Sequence, residues 1–206
     1  MRYTQVLGVD DHVPDRPFTN PEGTRADARV MGRMLDRLRS EAPSLRRGRL
    51  PVERHEPDQD GNLHWIVVPR PAALLSAGEL TTVGFFGDLR SGVDHADIYQ
   101  LEELVVARLA RYAASGLLCY YDAELEPGVH GNLVLFSGSG VPDEWHADAV
   151  HARAVALAPR HYRCVRLHRA AVHGAFLGDD PLVVEQTRYF DFTDRPAWTA
   201  IRPLAM

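Results

Sequence analysis

The sequence predicts an α+β protein, and three observations carry that prediction. Strand and helix periodicities follow one another from residue 80 to residue 173 in the order β-α-β-β-α-β. Pro127 and Gly128 suit the middle positions of a type II turn between two short apolar runs, which makes those runs an antiparallel hairpin. Of the 206 residues 45% are hydrophobic and 25% charged, with two cysteines, so the chain can build its own core without a disulfide scaffold.

Residues 1–75 read as an N-terminal extension of strand, helix and strand. "YTQVLGV" is a short strand. "TRADARVMGRMLDRLRSE" sets Val30, Met34, Leu35 and Leu38 at helical spacing behind Thr24 as N-cap. A polar stretch follows, and its "DQDGN" reads as a turn, because the glutamate that would complete a calcium loop is missing. "LHWIVVP" is a strand closed by Pro69 and Pro71.

Residues 76–206 form the main unit. "LTTVGFFGDL" is a strand whose two glycines mark a bulge or a close approach. Asp94 caps a helix with Ile98, Leu101, Val105, Leu109 and Tyr112 on one stripe, ended by Gly116. "LLCYYDAEL" and "HGNLVLFSG" are the hairpin strands. A helix over 143–158 starts with Pro142 at its first position and ends at Pro159. "HYRCVRLHRAAV" is a strand, and "LVVEQTRYFDF" is the last one. This order leaves one sheet face bare, to be covered by a second sheet from another copy or from residues 1–75 plus the final strand.

A net charge of −5 argues against a general nucleic-acid binder, although arginines gather at 46, 47 and 49 and at 163, 166 and 169. The apolar runs are too short to cross a membrane, and "MRYTQVLGVDDHVPDRP" is no signal peptide. A cytoplasmic protein with no nucleic-acid or membrane partner is expected.

The element order over 80–173 resembles the ferredoxin-like split βαβ unit. It is similar to the dimeric α+β barrel superfamily, which includes the antibiotic-biosynthesis-monooxygenase-like, EthD-like and chlorite-dismutase-like families. The resemblance implies a homodimer or pseudo-dimer and a small-molecule pocket between the 143–158 helix and the sheet. It also implies either haem held by a helix histidine or oxidative chemistry without a cofactor.

Five of the ten histidines fall between 144 and 174. His146 and His151 are five apart, about 140° around a helix, so they cannot share one metal. Asp148 is placed to orient the His151 ring, which leaves a nitrogen free as haem ligand or base; the structural alternative is a core histidine. Trp145, Ala149, Ala152 and Ala156 form a stripe that would admit a flat ligand. Strand alternation puts Tyr162, Cys164, Arg166, His168 and Ala170 on one face, too polar for ordinary core. Tyr120 or Tyr121, with Asn132, Arg166 and His168, would line a pocket for a small organic ligand. "FSGSGVP" lacks the lysine and spacing of a phosphate loop, and Cys164 reads as structural.

Three functions follow. The first is a haem oxidoreductase, with His151 or His168 on the iron and Trp145 and Arg166 on the cofactor. The second is a cofactor-free enzyme whose catalytic residues are His168, Arg166, Tyr120 and Asn132. The third is a non-catalytic module for ligand binding or dimerisation.

Overall fold

The computed structural model describes residues 4–48, 51–57, 61–138 and 140–204. Arg49, Ser139 of "FSGSGVP" and the first three residues of "DQDGN" lie outside them. The described chain is α+β: seven helices and one nine-stranded sheet in the order β1-β9-β8-β7-β4-β6-β5-β3-β2.

Helix α1 (Pro21–Ser40) is capped by Asn20, whose side chain accepts from Glu22 N at 2.9 Å. Thr24, expected to cap it, lies inside the first turns, and its hydroxyl meets Tyr189 Oη at 2.9 Å. Met31, Met34, Leu35 and Leu38 follow at helical spacing and are all buried, worth roughly 1.5–3 kcal/mol each. Two elements in the polar stretch escaped the sequence reading, α2 (Ala42–Arg47) and β2 (Val52–Pro57). The strand alternates Arg54 and Glu56 with Glu53 and His55, so it has no apolar period to read.

The sheet's centre is β4 (Leu80–Leu89), antiparallel to both β6 (Val129–Ser137) and β7 (Tyr162–Val172). β5 (Leu117–Glu126) pairs with β6 across the expected turn, where Gly128 has φ 80°. β3 (Leu63–Val68) and β2 extend the sheet beyond β5. β8 (Val183–Asp191), β9 (Trp198–Pro203) and the two-residue β1 (Gln5–Val6) extend it beyond β7. The sheet is therefore enlarged at its edges, where a second sheet over one face was expected.

That face is covered by α1, α2 and α3 (Pro71–Leu75), whose side chains join Phe86, Cys119, Tyr121, Leu133, Leu135, Ala170 and Val172 in one core. Gly84 makes room for α1, since a methyl there would lie 2.6 Å from Met31 Sδ. The opposite face carries α4 (Ala96–Val106), α5 (Leu109–Tyr112), α6 (Asp143–Ala147) and α7 (Ala149–His161). Its core is built from Val105, Val106, Leu109, Tyr112, Leu117, Tyr120, Val134, Phe136 and Trp145. Among the described residues no helix is long and apolar enough to cross a membrane.

The predicted 143–158 helix is two helices. Asp148 breaks it, with its own backbone extended and its side chain accepting from Val150 N and His151 N. A carboxylate that caps a new helix satisfies amides the old helix would have to leave. Pro159 does not end α7, which runs on to His161.

Candidate functional site

Strand β7 sends Arg166 and His168 under α1. His168 is fully buried, with Nε2 2.9 Å from Asp27 Oδ2 and Nδ1 2.9 Å from Thr187 Oγ1. Asp27 also receives Arg166, through Nη2 at 2.9 Å to Oδ1 and through Nε to Oδ2. The order hydroxyl, imidazole, carboxylate is that of a nucleophilic triad. Thr187 is fully buried, however, so no substrate carbonyl reaches it. With both ring nitrogens committed, His168 is neither an iron ligand nor a free base. It joins α1 to the sheet, as Arg166 does. Cys164 lies on the same face, and burial pushes its thiol up to about 11, which leaves it inert.

The space expected to be a pocket between the 143–158 segment and the sheet is filled. Trp145 is buried there, edge-on to Tyr112 at 5.5 Å and Phe136 at 5.9 Å. The His151 ring packs on Trp145 at 4.9 Å and hydrogen-bonds its backbone. Asp148 does not orient that ring. Burial pushes its carboxyl up, but bonds from Tyr112, the His151 and Val150 amides and Arg108 hold it down at about 2. Ala149, Ala152 and Ala156 face solvent, so the small-residue stripe lines no slot. A macrocycle has no room between these helices and the sheet, and the residues present do not fit haem there. Among the described residues no group of three or more His, Cys, Asp or Glu is placed to hold a metal ion.

The sheet also divides the predicted pocket. His168 is in register with Gly84 and Leu133, under α1, whereas Asn132 is in register with Phe85 and Asp122 on the opposite face. Tyr120 shares that opposite face, because a bulge at Leu118 sets Leu117 and Tyr120 together in the same core. A second irregularity, at Leu89 and Tyr162, turns Tyr162 away from Cys164 and against Phe85, with the rings 5.2 Å apart. Gly87 admits it, since a Cβ there would lie 2.5 Å from the Tyr162 ring.

What gathers between α4 and the sheet is an acid pair with tyrosines. Tyr120 Oη donates to Glu102 Oε1 at 2.9 Å. Asp122 lies opposite Asn132, and its side chain keeps 18% of its exposure. His130 Nδ1 stands 4.0 Å from Asp122 Oδ2, and its Nε2 is 3.4 Å from the exposed Tyr99 Oη. Burial, then the charges of Glu102 and Glu124, push Asp122 well above the usual carboxylate range. Burial also raises Glu102, against the bond from Tyr120. Tyr120 and Tyr162 are raised by burial and by the two acids, and burial lowers His130. Among the described residues neither acid is paired with an arginine or lysine.

No family model, curated protein or solved structure matches this chain.

Glu102 and Asp122 were not singled out from the sequence. Asp122 carried a signal, as an acid that follows the five apolar and aromatic residues opening "LLCYYDAEL". Glu102, three residues after Tyr99 and beside the apolar stripe of α4, carried none. Two surface pockets lie elsewhere. One of about 380 Å³ lies between Leu45, Ala72, Leu75 and Leu177, and one of about 140 Å³ lies by Val9, Thr24 and Arg202.

Proposed function

We propose that this chain is a cofactor-independent enzyme that moves protons on a small organic molecule in the cleft between α4 and the sheet. The observation that carries the reading is the gathering of Glu102 from α4 and Asp122 from β5 beside Tyr120, both carboxyls raised by burial and Asp122 still partly open to solvent. Two buried carboxyls that repel one another cannot both ionise cheaply, so the pair holds a proton to a higher pH than an isolated carboxyl does. Asp122, opposite Asn132 and still partly open to solvent, is the proton donor in this reading. Glu102, steadied by Tyr120, is the base that takes a proton from the substrate. Tyr99 and Tyr162 offer aromatic walls. In this reading Tyr120 and Asn132 belong to the site, without the His168 and Arg166 that were expected beside them.

A ferredoxin-like scaffold goes with this reading. Strands β7-β4-β6-β5 lie in that order, each antiparallel to its neighbour, with α4 and α7 in the crossovers, and this supports a split βαβ unit with its sheet extended at both edges.

The test is a carboxyl-carbon NMR titration with Asp122→Asn and Glu102→Gln for assignment. One carboxyl of the pair should hold its proton well above the ordinary carboxylate range. If both titrate in the ordinary carboxylate range, the acid–base reading falls. Added hemin should give only the spectrum of free hemin; a sharp Soret band lost in His151→Ala would restore the haem reading.

A further inference from the structure

At the far end of α4 from the acid pair, a chain of ring nitrogens has one proton too few. His95 Nε2 is 3.0 Å from the carbonyl of Arg90, which only accepts, so this nitrogen carries a hydrogen. His95 Nδ1 is then bare in the neutral ring. It lies 3.2 Å from His161 Nδ1, so one of the two must donate to the other. His161 Nε2 in turn lies 2.9 Å from Asp97 Oδ1, another pure acceptor, and both atoms are buried without a hydrogen-bond partner. One extra proton on the imidazole pair matches every contact, whether His161 donates from both nitrogens or His95 does and leaves His161 Nε2 to donate to Asp97. The other oxygen of Asp97 receives Arg160 Nη1 at 2.8 Å. Asp97 is in the first turn of α4, and Arg160 and His161 are in the last turn of α7, so this chain is where the two helices are fastened.

We infer that His95, His161 and Asp97 form a proton-operated latch between the start of α4 and the end of α7, closed when the two imidazoles share one extra proton. When both rings are neutral a lone pair of His161 Nε2 faces the carboxylate, and Asp97 swings off while the imidazole stays buried. The groups facing the His161 ring are Asp97, Asp94 and His95 from α4 and its approach and Arg160 from α7, while His95 itself faces Tyr99 of α4 and the Arg90 carbonyl just beyond β4. The sign follows from the two states. Burial lowers the proton affinity of the ring in both, and Asp97 raises it only in the closed one. The latch therefore closes as pH falls, below the ordinary imidazole range. Because α4 also carries Tyr99 and Glu102, the wall of the cleft is fastened with it, but the latch does not depend on what the cleft does.

The experiment is nitrogen NMR of the two imidazoles together with amide hydrogen exchange at Ile98 and Tyr99, both bonded to the His95 carbonyl. It is run from about pH 8 to about pH 5 with correction for intrinsic exchange. In the wild type, His161 should hold its hydrogen on Nδ1 when both rings are neutral. Protection should rise about tenfold on acidification, the equivalent of one charge-assisted hydrogen bond. In Asp97→Asn the amide can donate to the neutral Nε2, so protection should be high and flat with pH. Flat protection in the wild type, the wild-type slope in Asp97→Asn, or a His161 with its hydrogen on Nε2 when both rings are neutral would each overturn the latch.

Discussion

Asp122→Asn should stabilise the protein at neutral pH and lose that advantage in acid. In the unfolded chain the carboxyl titrates near pH 4, whereas in the folded chain burial and the neighbouring Glu102 and Glu124 hold it protonated to a much higher pH. Between those two values the unfolded state gives up a proton that the folded state keeps. Wild-type stability then falls by up to about 1.4 kcal/mol for each pH unit gained, and levels off above the folded value. An asparagine of nearly the same shape cannot ionise in either state and escapes this loss. The mutant's advantage should therefore be least near pH 4 and grow with pH, by at most about 1.4 kcal/mol per unit, until the folded carboxyl ionises. Urea unfolding of both proteins at about pH 4, 5, 6 and 7 measures the difference, and equal slopes against urea would show that the unfolded states are alike. A difference that does not change with pH, or a mutant less stable at neutral pH, would refute the claim that Asp122 is held protonated. A gain in stability on removing a side chain is what a site kept for chemistry predicts.

Asp27→Ala should act in the opposite sense. It strands Arg166 and the fully buried His168, costing about 3–5 kcal/mol, and lowers Tm by roughly 6–20 °C in calorimetry; a loss under about 1 kcal/mol would mean the network does not staple α1. Gly87→Ala should push the Tyr162 ring off the strand, and an ultraviolet titration should find a phenol returning toward its ordinary range; an unchanged titration would place that ring elsewhere. Leu35→Ala, at the buried centre of α1, should cost about 2–5 kcal/mol in urea unfolding, and a smaller loss would argue that α1 packs loosely.

The sequence was legible where one period ruled. β4 appears at its expected bounds because apolar residues run through "LTTVGFFGDL", and α1 because its methionines and leucines keep a strict helical spacing. Legibility failed where one residue changed the period. The bulges at Leu118 and at Arg163, between Tyr162 and Cys164, reversed which side chains share a face, so alternation put Tyr162 with Cys164 and Leu117 opposite Tyr120. Asp148 made two helices of one, which removed both the proposed orienter of His151 and the continuous alanine stripe. The polar face of β7 was correctly seen as too polar for ordinary core. Its partner, Asp27, lay 139 residues from Arg166 on a helix whose buried side looked wholly apolar, and no local pattern could join them.

The nine-stranded sheet acts as a wall one backbone thick. Gly84 and Gly87, three residues apart on β4, look out on different worlds: α1 and its buried ion network on one side, Tyr162 and the acid pair on the other. Changes to Asp27 and Asp122 therefore share no partner, and their effects on stability should add. For an engineer this gives two separate dials. Stability lost by reshaping the cleft can be restored by repacking beneath α1, without touching a side chain that a substrate would meet.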